Sequence, residues 1–128
     1  MTDRKLKNIL YVDDDPDLRK IVQLSLEYLE GVTVLTCDSG KQALQFIKGF
    51  RPDLIILDVV MEDMDGPETL AELRKLPEAA ETPVFFLTSN VQPGDMEGYK
   101  EMGVAGIIKK PVHPRKLPGQ VTDLWQKV

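Results

Sequence analysis

One short apolar run followed directly by a carboxylate constrains the fold of this chain more than any other feature. Residues 54–57 are Leu-Ile-Ile-Leu, and Asp58 comes immediately after them. A short apolar run of this kind is typical of a strand that is buried on both faces, as strands of parallel sheets are. Ligands of open α/β folds bind at the carboxyl ends of such strands. The run therefore predicts an α/β fold with Asp58 at the ligand-binding edge of the sheet.

Four further apolar segments repeat this pattern along the chain, and segments with helical periodicity separate them. Five strands that alternate with five helices predict one parallel sheet with helices on both faces, because parallel neighbours require right-handed crossovers. Residues 1–128 are predicted to form a single domain without an output domain. The four further segments are residues 9–12, 32–36, 84–87 and 106–108.

The helix boundaries are also marked in the sequence. Asp15 supplies a carboxylate that can cap a helix, and Pro16 follows it at the first helical position. The apolar spacing predicts that this first helix continues until Gly31 ends it. A weaker helix is predicted around residues 95–102, and the last helix is predicted to place Leu117 and Trp125 on one apolar stripe.

Polar side chains follow four of the five predicted strands. They are Asp13 and Asp14, Asp58, Thr88 and Lys110. The carboxyl ends of parallel strands lie at one edge of a sheet, so we expect these residues to converge. Two carboxylates ~4 Å apart repel one another by ~4 kcal/mol at an effective dielectric constant near 20. A divalent cation removes this repulsion, and hard oxygen ligands favour Mg²⁺.

The same set of residues predicts phosphoryl chemistry. Asp58 is the candidate phosphoacceptor, because carboxylates form aspartyl phosphates in covalent catalysis. Lys110 is a mobile positive charge that pairs with a phosphoryl oxygen or with Asp58, and Thr88 offers a hydroxyl donor to the same group. A metal ion and a lysine stabilise the charge that develops during in-line phosphoryl transfer.

The composition excludes several other classes of protein. Sixteen basic residues against 21 acidic residues give a net charge of −5, which argues against direct nucleic-acid binding. The only cysteine, Cys37, excludes an internal disulfide and fits a reducing compartment. No stretch reaches membrane-spanning length or fits a signal peptide, so the predicted location is cytoplasmic.

Four segments together resemble the receiver domain of bacterial two-component response regulators, including the stand-alone chemotaxis type. The resemblance covers nearly the whole chain from Ile9 to Val128. Each segment alone is a weak match, whereas their order and spacing are specific. The segments are residues 10–15 (LYVDDD), 57–66 (LDVVMEDMDG), 83–89 (PVFFLTS) and 106–111 (GIIKKP).

The resemblance implies a flavodoxin-like (βα)5 three-layer sandwich with strand order 2-1-3-4-5. Asp58 is then the phosphoacceptor, Thr88 the switch hydroxyl and Lys110 the phosphate-sensing lysine, with a cis peptide bond before Pro111. The implied Mg²⁺ ligands are Asp13, Asp14, Asp58 and the backbone carbonyl of Val60. The chain departs from the family at Ile107, where an aromatic residue is usual, and at Glu62, where a proline is usual.

The implied function is that of a phosphoacceptor signalling module. A histidine kinase or histidine phosphotransfer protein donates the phosphoryl group, and the domain catalyses only its own phosphorylation and dephosphorylation. The altered conformation then controls a downstream protein target or a separate output domain, and phosphorylation is expected to permit homodimerisation. No membrane partner is predicted.

Two alternatives belong to other classes. A Mg²⁺-dependent phosphohydrolase with an Asp nucleophile would require a second Asp at position 60, where this chain has Val60. A constitutive dimerisation module with vestigial phosphorylation would not require the complete set of polar residues at the strand ends. Phosphate-dependent partner binding distinguishes this alternative from the signalling module.

Overall fold

The apolar runs of the sequence lie side by side as parallel strands in the structure, a computed structural model that describes residues 5–89 and 91–128. Within these residues the chain alternates five strands with five α-helices, and a single 3-10 turn at Pro77–Ala79 precedes the fourth strand. The elements are β1 (Asn8–Val12), α1 (Pro16–Leu26), β2 (Thr33–Cys37), α2 (Gly40–Phe46), β3 (Leu54–Asp58), α3 (Gly66–Leu73), β4 (Val84–Thr88), α4 (Asp95–Glu101), β5 (Gly106–Lys109) and α5 (Leu117–Trp125).

The strand order of the described sheet is β2-β1-β3-β4-β5, and all neighbouring strands are parallel. Every residue of β3 and β4 is buried, as expected for central strands covered on both faces. The register pairs Val12 with Leu57 and Asp58 with Leu87, so the strands end at nearly the same level. The predicted α/β fold and strand order are confirmed.

Two separate apolar cores lie on the two faces of the sheet. Alternate residues of each strand point to opposite faces, so Leu10 and Tyr11 belong to different cores. One face is covered by α1 and α5, through residues such as Leu26 and Trp125. The other face is covered by α2, α3 and α4, through residues such as Ala43, Leu70 and Tyr99. The molecule is therefore the predicted three-layer sandwich.

The first helix ends earlier than predicted. It stops at Leu26, and the following segment is a turn in which the Leu29 amide donates to the Leu26 carbonyl at 3.0 Å. Gly31 closes this turn with a φ of +78°, a conformation that favours glycine. Leu29 still packs against the core of the α1 and α5 face, so the apolar periodicity continues beyond the helix itself.

Side chains cap the helices that begin near the carboxyl edge of the sheet. The Asp15 carboxylate accepts hydrogen bonds from the Asp17 and Leu18 amides, which confirms the predicted start of α1. Asp65 and Glu68 form a reciprocal capping box at the start of α3. These caps fix the loops that follow β1 and β3, which contain Asp13 and residues 59–65.

Among residues 5–89 and 91–128, no helix is long and apolar enough to span a membrane. That residues 1–128 form a single domain stays a prediction. Residues 1–4 and 90 of that range lie outside the described residues.

Candidate functional site at the carboxyl edge of the sheet

Three carboxylates meet where β1 and β3 end. Asp13 and Asp14 follow β1, and Asp58 is the last residue of β3. One carboxylate oxygen from each residue lies within 4.8 Å of those of the other two. Asp13 and Asp58 are buried, whereas Asp14 is exposed. The structure therefore brings together the three side chains predicted to bind a cation, in a cluster that could hold one.

A lysine neutralises part of this charge. The Nζ atom of Lys110 lies 3.2 Å from Oδ1 of Asp58, and both side chains are largely shielded from solvent. Lys110 follows β5, its amide donates to the Thr88 carbonyl at 2.8 Å, and its peptide bond to Pro111 is cis, as predicted. The lysine is thus held at the same edge of the sheet as the carboxylates.

Thr88 ends β4 beside the same edge. It is buried, and its Cα pairs with that of Lys109 in β5. The neighbouring residue Leu87 pairs with Asp58 in β3, so Thr88 lies one residue beyond the level of Asp58. This position agrees with the prediction that Thr88 ends a strand next to the acidic cluster.

The electrostatics of Asp58 reflect two opposing influences. Burial, and then the negative charge of Asp13, raise the pKa of Asp58 to about 6. The positive charge of Lys110 and its hydrogen bond act in the opposite direction. The carboxylate is therefore ionised at neutral pH at a cost in free energy, which a bound cation would reduce.

The loop after β3 contacts the cluster through its backbone. The Glu62 amide donates to Oδ2 of Asp14 at 3.1 Å, which links this loop to the end of β1. Val60 lies between Asp58 and Glu62, and its apolar side chain is 75% exposed. The role of its backbone carbonyl as a metal ligand stays a prediction.

An aromatic side chain of α4 packs against the strand that ends at Thr88. Ile107 in β5 is half-buried, and Tyr99 of α4 packs its ring edge-on against Phe86 of β4, with centroids 5.0 Å apart. Ile107 is therefore an aliphatic residue at a position that is usually aromatic in receiver domains.

The sequence did not predict the groups that orient Asp13. The hydroxyl of Tyr11 donates to Oδ2 of Asp13, and the Asp15 amide donates to Oδ1 at 2.9 Å. The guanidinium of Arg19 donates to the Asp13 backbone carbonyl at 2.8 Å. Tyr11 belongs to an apolar run of the sequence, and the signal that could have identified it is its position two residues before Asp13, near the end of β1.

Gly66 allows the loop after β3 to pass close to the phosphoacceptor candidate. Its amide donates to the Val59 carbonyl at 2.9 Å. A Cβ atom at this position would lie 2.9 Å from both the Asp58 carbonyl oxygen and the Val59 Cα. Backbone atoms cannot yield as a flexible side chain does, so a larger residue would displace the end of β3.

Gly66→Ala is therefore expected to lower the free energy of unfolding by about 1–3 kcal/mol, the usual cost of overpacking. Urea unfolding followed by circular dichroism measures this change. Gly49→Ala is the matched control, because a Cβ there meets no atom within 4 Å. It should leave the stability unchanged or raise it by at most about 1 kcal/mol. Equal midpoints for Gly66→Ala and the unmodified chain would contradict the tight contact.

Comparisons with known proteins agree with the geometry. The sequence matches the family model for the response regulator receiver domain over residues 9–122. It is 36% identical over 110 residues to an uncharacterised 14.6 kDa protein of Leptolyngbya boryana, covering 86% of this chain and 83% of that protein. It is 34% identical over 123 residues to the transcriptional regulatory protein GlrR of Escherichia coli, covering 96% of this chain but only 27% of GlrR.

Two solved structures are also similar to this chain. The chemotaxis protein CheY4 of Vibrio cholerae is similar to this chain with a TM-score of 0.85 and 30% identity, covering 94% of this chain and 99% of that one. The signal receiver domain of a signal transduction histidine kinase from Syntrophus aciditrophicus is similar with a TM-score of 0.78 and 33% identity, covering 95% and 92%.

Proposed function

The chain belongs to the family of response regulator receiver domains, and from this membership we propose that it carries its signal as a phosphoryl group on Asp58. The observation that carries this proposal is the ion pair between Asp58 and Lys110 at the edge of the acidic cluster. A nucleophile, a cluster of cation ligands and a positive charge are the parts that phosphoryl transfer requires.

The donor set of the acidic cluster fits Mg²⁺. Its ligands are hard carboxylate oxygens, and one of them is exposed, which suits a cation that keeps several waters. We propose Asp13, Asp14 and Asp58 as protein ligands, together with the Val60 carbonyl. When bound, the cation would neutralise charge on the phosphoryl oxygens during transfer.

The positions of the side chains support the following proposed roles. The ionised carboxylate of Asp58 attacks phosphorus, so that an oxygen–phosphorus bond forms. The phosphorus–nitrogen bond to the phosphorylated histidine of the donor breaks, and the histidine side chain leaves. Lys110 lies close enough to Asp58 to pair afterwards with a phosphoryl oxygen instead of the carboxylate. Thr88, at the end of β4, is the proposed hydroxyl donor to the same phosphoryl group, and its movement would alter the face that α4, β5 and α5 present.

Family membership implies a histidine kinase as phosphoryl donor and a downstream target. A histidine phosphotransfer protein as an alternative donor, homodimerisation on phosphorylation and the cytoplasmic location stay predictions. The comparisons support neither alternative class of function. The phosphohydrolase would need an acid at position 60, where the exposed side chain belongs to Val60.

Incubation of the purified chain with acetyl phosphate tests this proposal, because a small acyl phosphate replaces the unknown partner as donor. We expect intact-mass spectrometry to show one phosphoryl adduct in Mg²⁺ and none in excess EDTA. The absence of any adduct in a folded sample, or the same adduct in both samples, would contradict the proposed function.

A further inference from the structure

The carboxylate of Asp13 is held by a hydrogen bond at each oxygen. Oδ2 accepts from the Tyr11 hydroxyl, and Oδ1 accepts from the Asp15 amide at 2.9 Å. Asp13 and Tyr11 are both inaccessible to solvent. The orientation of this carboxylate is therefore determined by protein groups and not by water.

Tyr11 is itself held in place by packing. It lies in β1, two residues before Asp13, and its side chain belongs to the core that α1 and α5 cover. The ring is buried in that core among residues such as Val22 and Trp125. A hydroxyl on a ring fixed in this way delivers its hydrogen bond from one defined position.

The hydrogen bond from Tyr11 also reduces the cost of burying the Asp13 carboxylate. Asp13 and Asp58 are two buried carboxylates in one cluster, and Lys110 pairs with Asp58. Burying a carboxylate without hydrogen-bond partners costs free energy. Tyr11 supplies Asp13 with a neutral hydrogen-bond donor, whereas Asp58 pairs with the positive charge of Lys110. Each carboxylate oxygen has further lone pairs, so an oxygen that accepts from Tyr11 or Asp15 can also bind a cation.

We propose that Tyr11 is a positioning residue that orients the Asp13 carboxylate for binding of the divalent cation. This inference rests on the proposed Mg²⁺-dependent phosphorylation and extends it to a residue that touches neither the cation nor the phosphoryl group. Groups that orient metal ligands in this way typically change metal affinity 10- to 100-fold when they are removed.

Tyr11→Phe removes the hydroxyl and retains the ring that packs in the core. We expect the Mg²⁺ dissociation constant to rise by about tenfold, measured by NMR titration of the backbone amides around residues 13–14 and 58–62. The rate of phosphorylation by acetyl phosphate should fall at low Mg²⁺ and return to that of the unmodified chain at saturating Mg²⁺. A residue that served stability alone would lower the unfolding midpoint without changing the Mg²⁺ dependence.

Tyr28→Phe is the matched control, because Tyr28 is 88% exposed and the chemical change is the same. Its Mg²⁺ dissociation constant should equal that of the unmodified chain. An equal constant for Tyr11→Phe, while the unmodified chain forms its Mg²⁺-dependent adduct, would overturn this inference and leave the proposed function standing. If the unmodified chain forms no adduct, both the function and the inference fail.

A second measurement does not depend on the folding of the variant. The unmodified chain is labelled with ring-fluorinated tyrosine, and fluorine NMR follows each tyrosine during Mg²⁺ addition. The Tyr11 resonance should shift with the dissociation constant found from the amides, while that of Tyr28 should not move. A Tyr11 resonance that does not respond to Mg²⁺ would overturn the inference.

Discussion

Asp58→Asn is expected to abolish the phosphoryl adduct formed with acetyl phosphate at every Mg²⁺ concentration. The substitution keeps the size of the side chain and an oxygen that can accept from Lys110, which lies 3.2 Å from Oδ1. It removes the anionic oxygen that attacks phosphorus, and an amide oxygen is a poor nucleophile for this step. Intact-mass spectrometry of the variant beside the unmodified chain measures the loss directly.

Asp38→Asn is the matched control for this loss. Asp38 also follows a strand at the carboxyl edge of the sheet, but it is exposed and is not part of the acidic cluster. The control should form the adduct at the rate of the unmodified chain. An adduct on folded Asp58→Asn that matches the unmodified chain in amount would place the acceptor elsewhere.

The same substitution is expected to stabilise the metal-free protein at about pH 7.5 by roughly 2–3 kcal/mol. Burial, and then the charge of Asp13, raise the pKa of Asp58 from its ordinary 3.8 to about 6 in the folded chain. Each pKa unit corresponds to about 1.4 kcal/mol between the two protonation states. Ionised Asp58 therefore destabilises the fold at neutral pH, and asparagine removes that charge.

The sign of the pH dependence follows from the same shift. Between about pH 4 and pH 6 the folded chain retains a proton on Asp58 that the unfolded chain has released. The contribution of Asp58 to the free energy of unfolding is therefore complete below about pH 4 and is lost as the pH rises through about 6. The stability advantage of Asp58→Asn should be absent near pH 4 and fully developed at pH 7.5.

Urea unfolding of both proteins in EDTA at several pH values measures this difference. Asp38→Asn should show no comparable gain at any pH. Adding Mg²⁺ should stabilise the unmodified chain more than Asp58→Asn, because ligand binding to the folded state raises stability. A variant less stable than the unmodified chain at pH 7.5 in EDTA would contradict this account of the buried carboxylates.

The sequence predicted the features that follow from local residue patterns and from the topology of a parallel sheet. Buried apolar runs such as residues 54–57 indicated parallel strands, and the common edge of such strands placed Asp13, Asp58 and Lys110 together. Asp15 before Pro16 located the start of α1. These predictions depend on local patterns and on topology, and both are explicit in the residue order.

The features that were missed depend on three-dimensional packing. The end of α1 at Leu26 was obscured because Leu29 continues the apolar spacing within a turn and still packs on the core. Tyr11 has the character of a core residue in its strand, and its hydrogen bond to Asp13 depends on where the ring ends in that core. The Arg19 contact to the Asp13 carbonyl likewise joins a helix to the end of a strand.

Identification of the phosphorylated residue in the unmodified chain tests the central claim most directly. The chain is phosphorylated with acetyl phosphate in Mg²⁺ and then treated with borohydride, which reduces an aspartyl phosphate to homoserine. Peptide sequencing by mass spectrometry then locates the modified position. The account predicts homoserine at position 58 and at no other aspartate. Homoserine at Asp13 or Asp14, with residue 58 still aspartate, would contradict it.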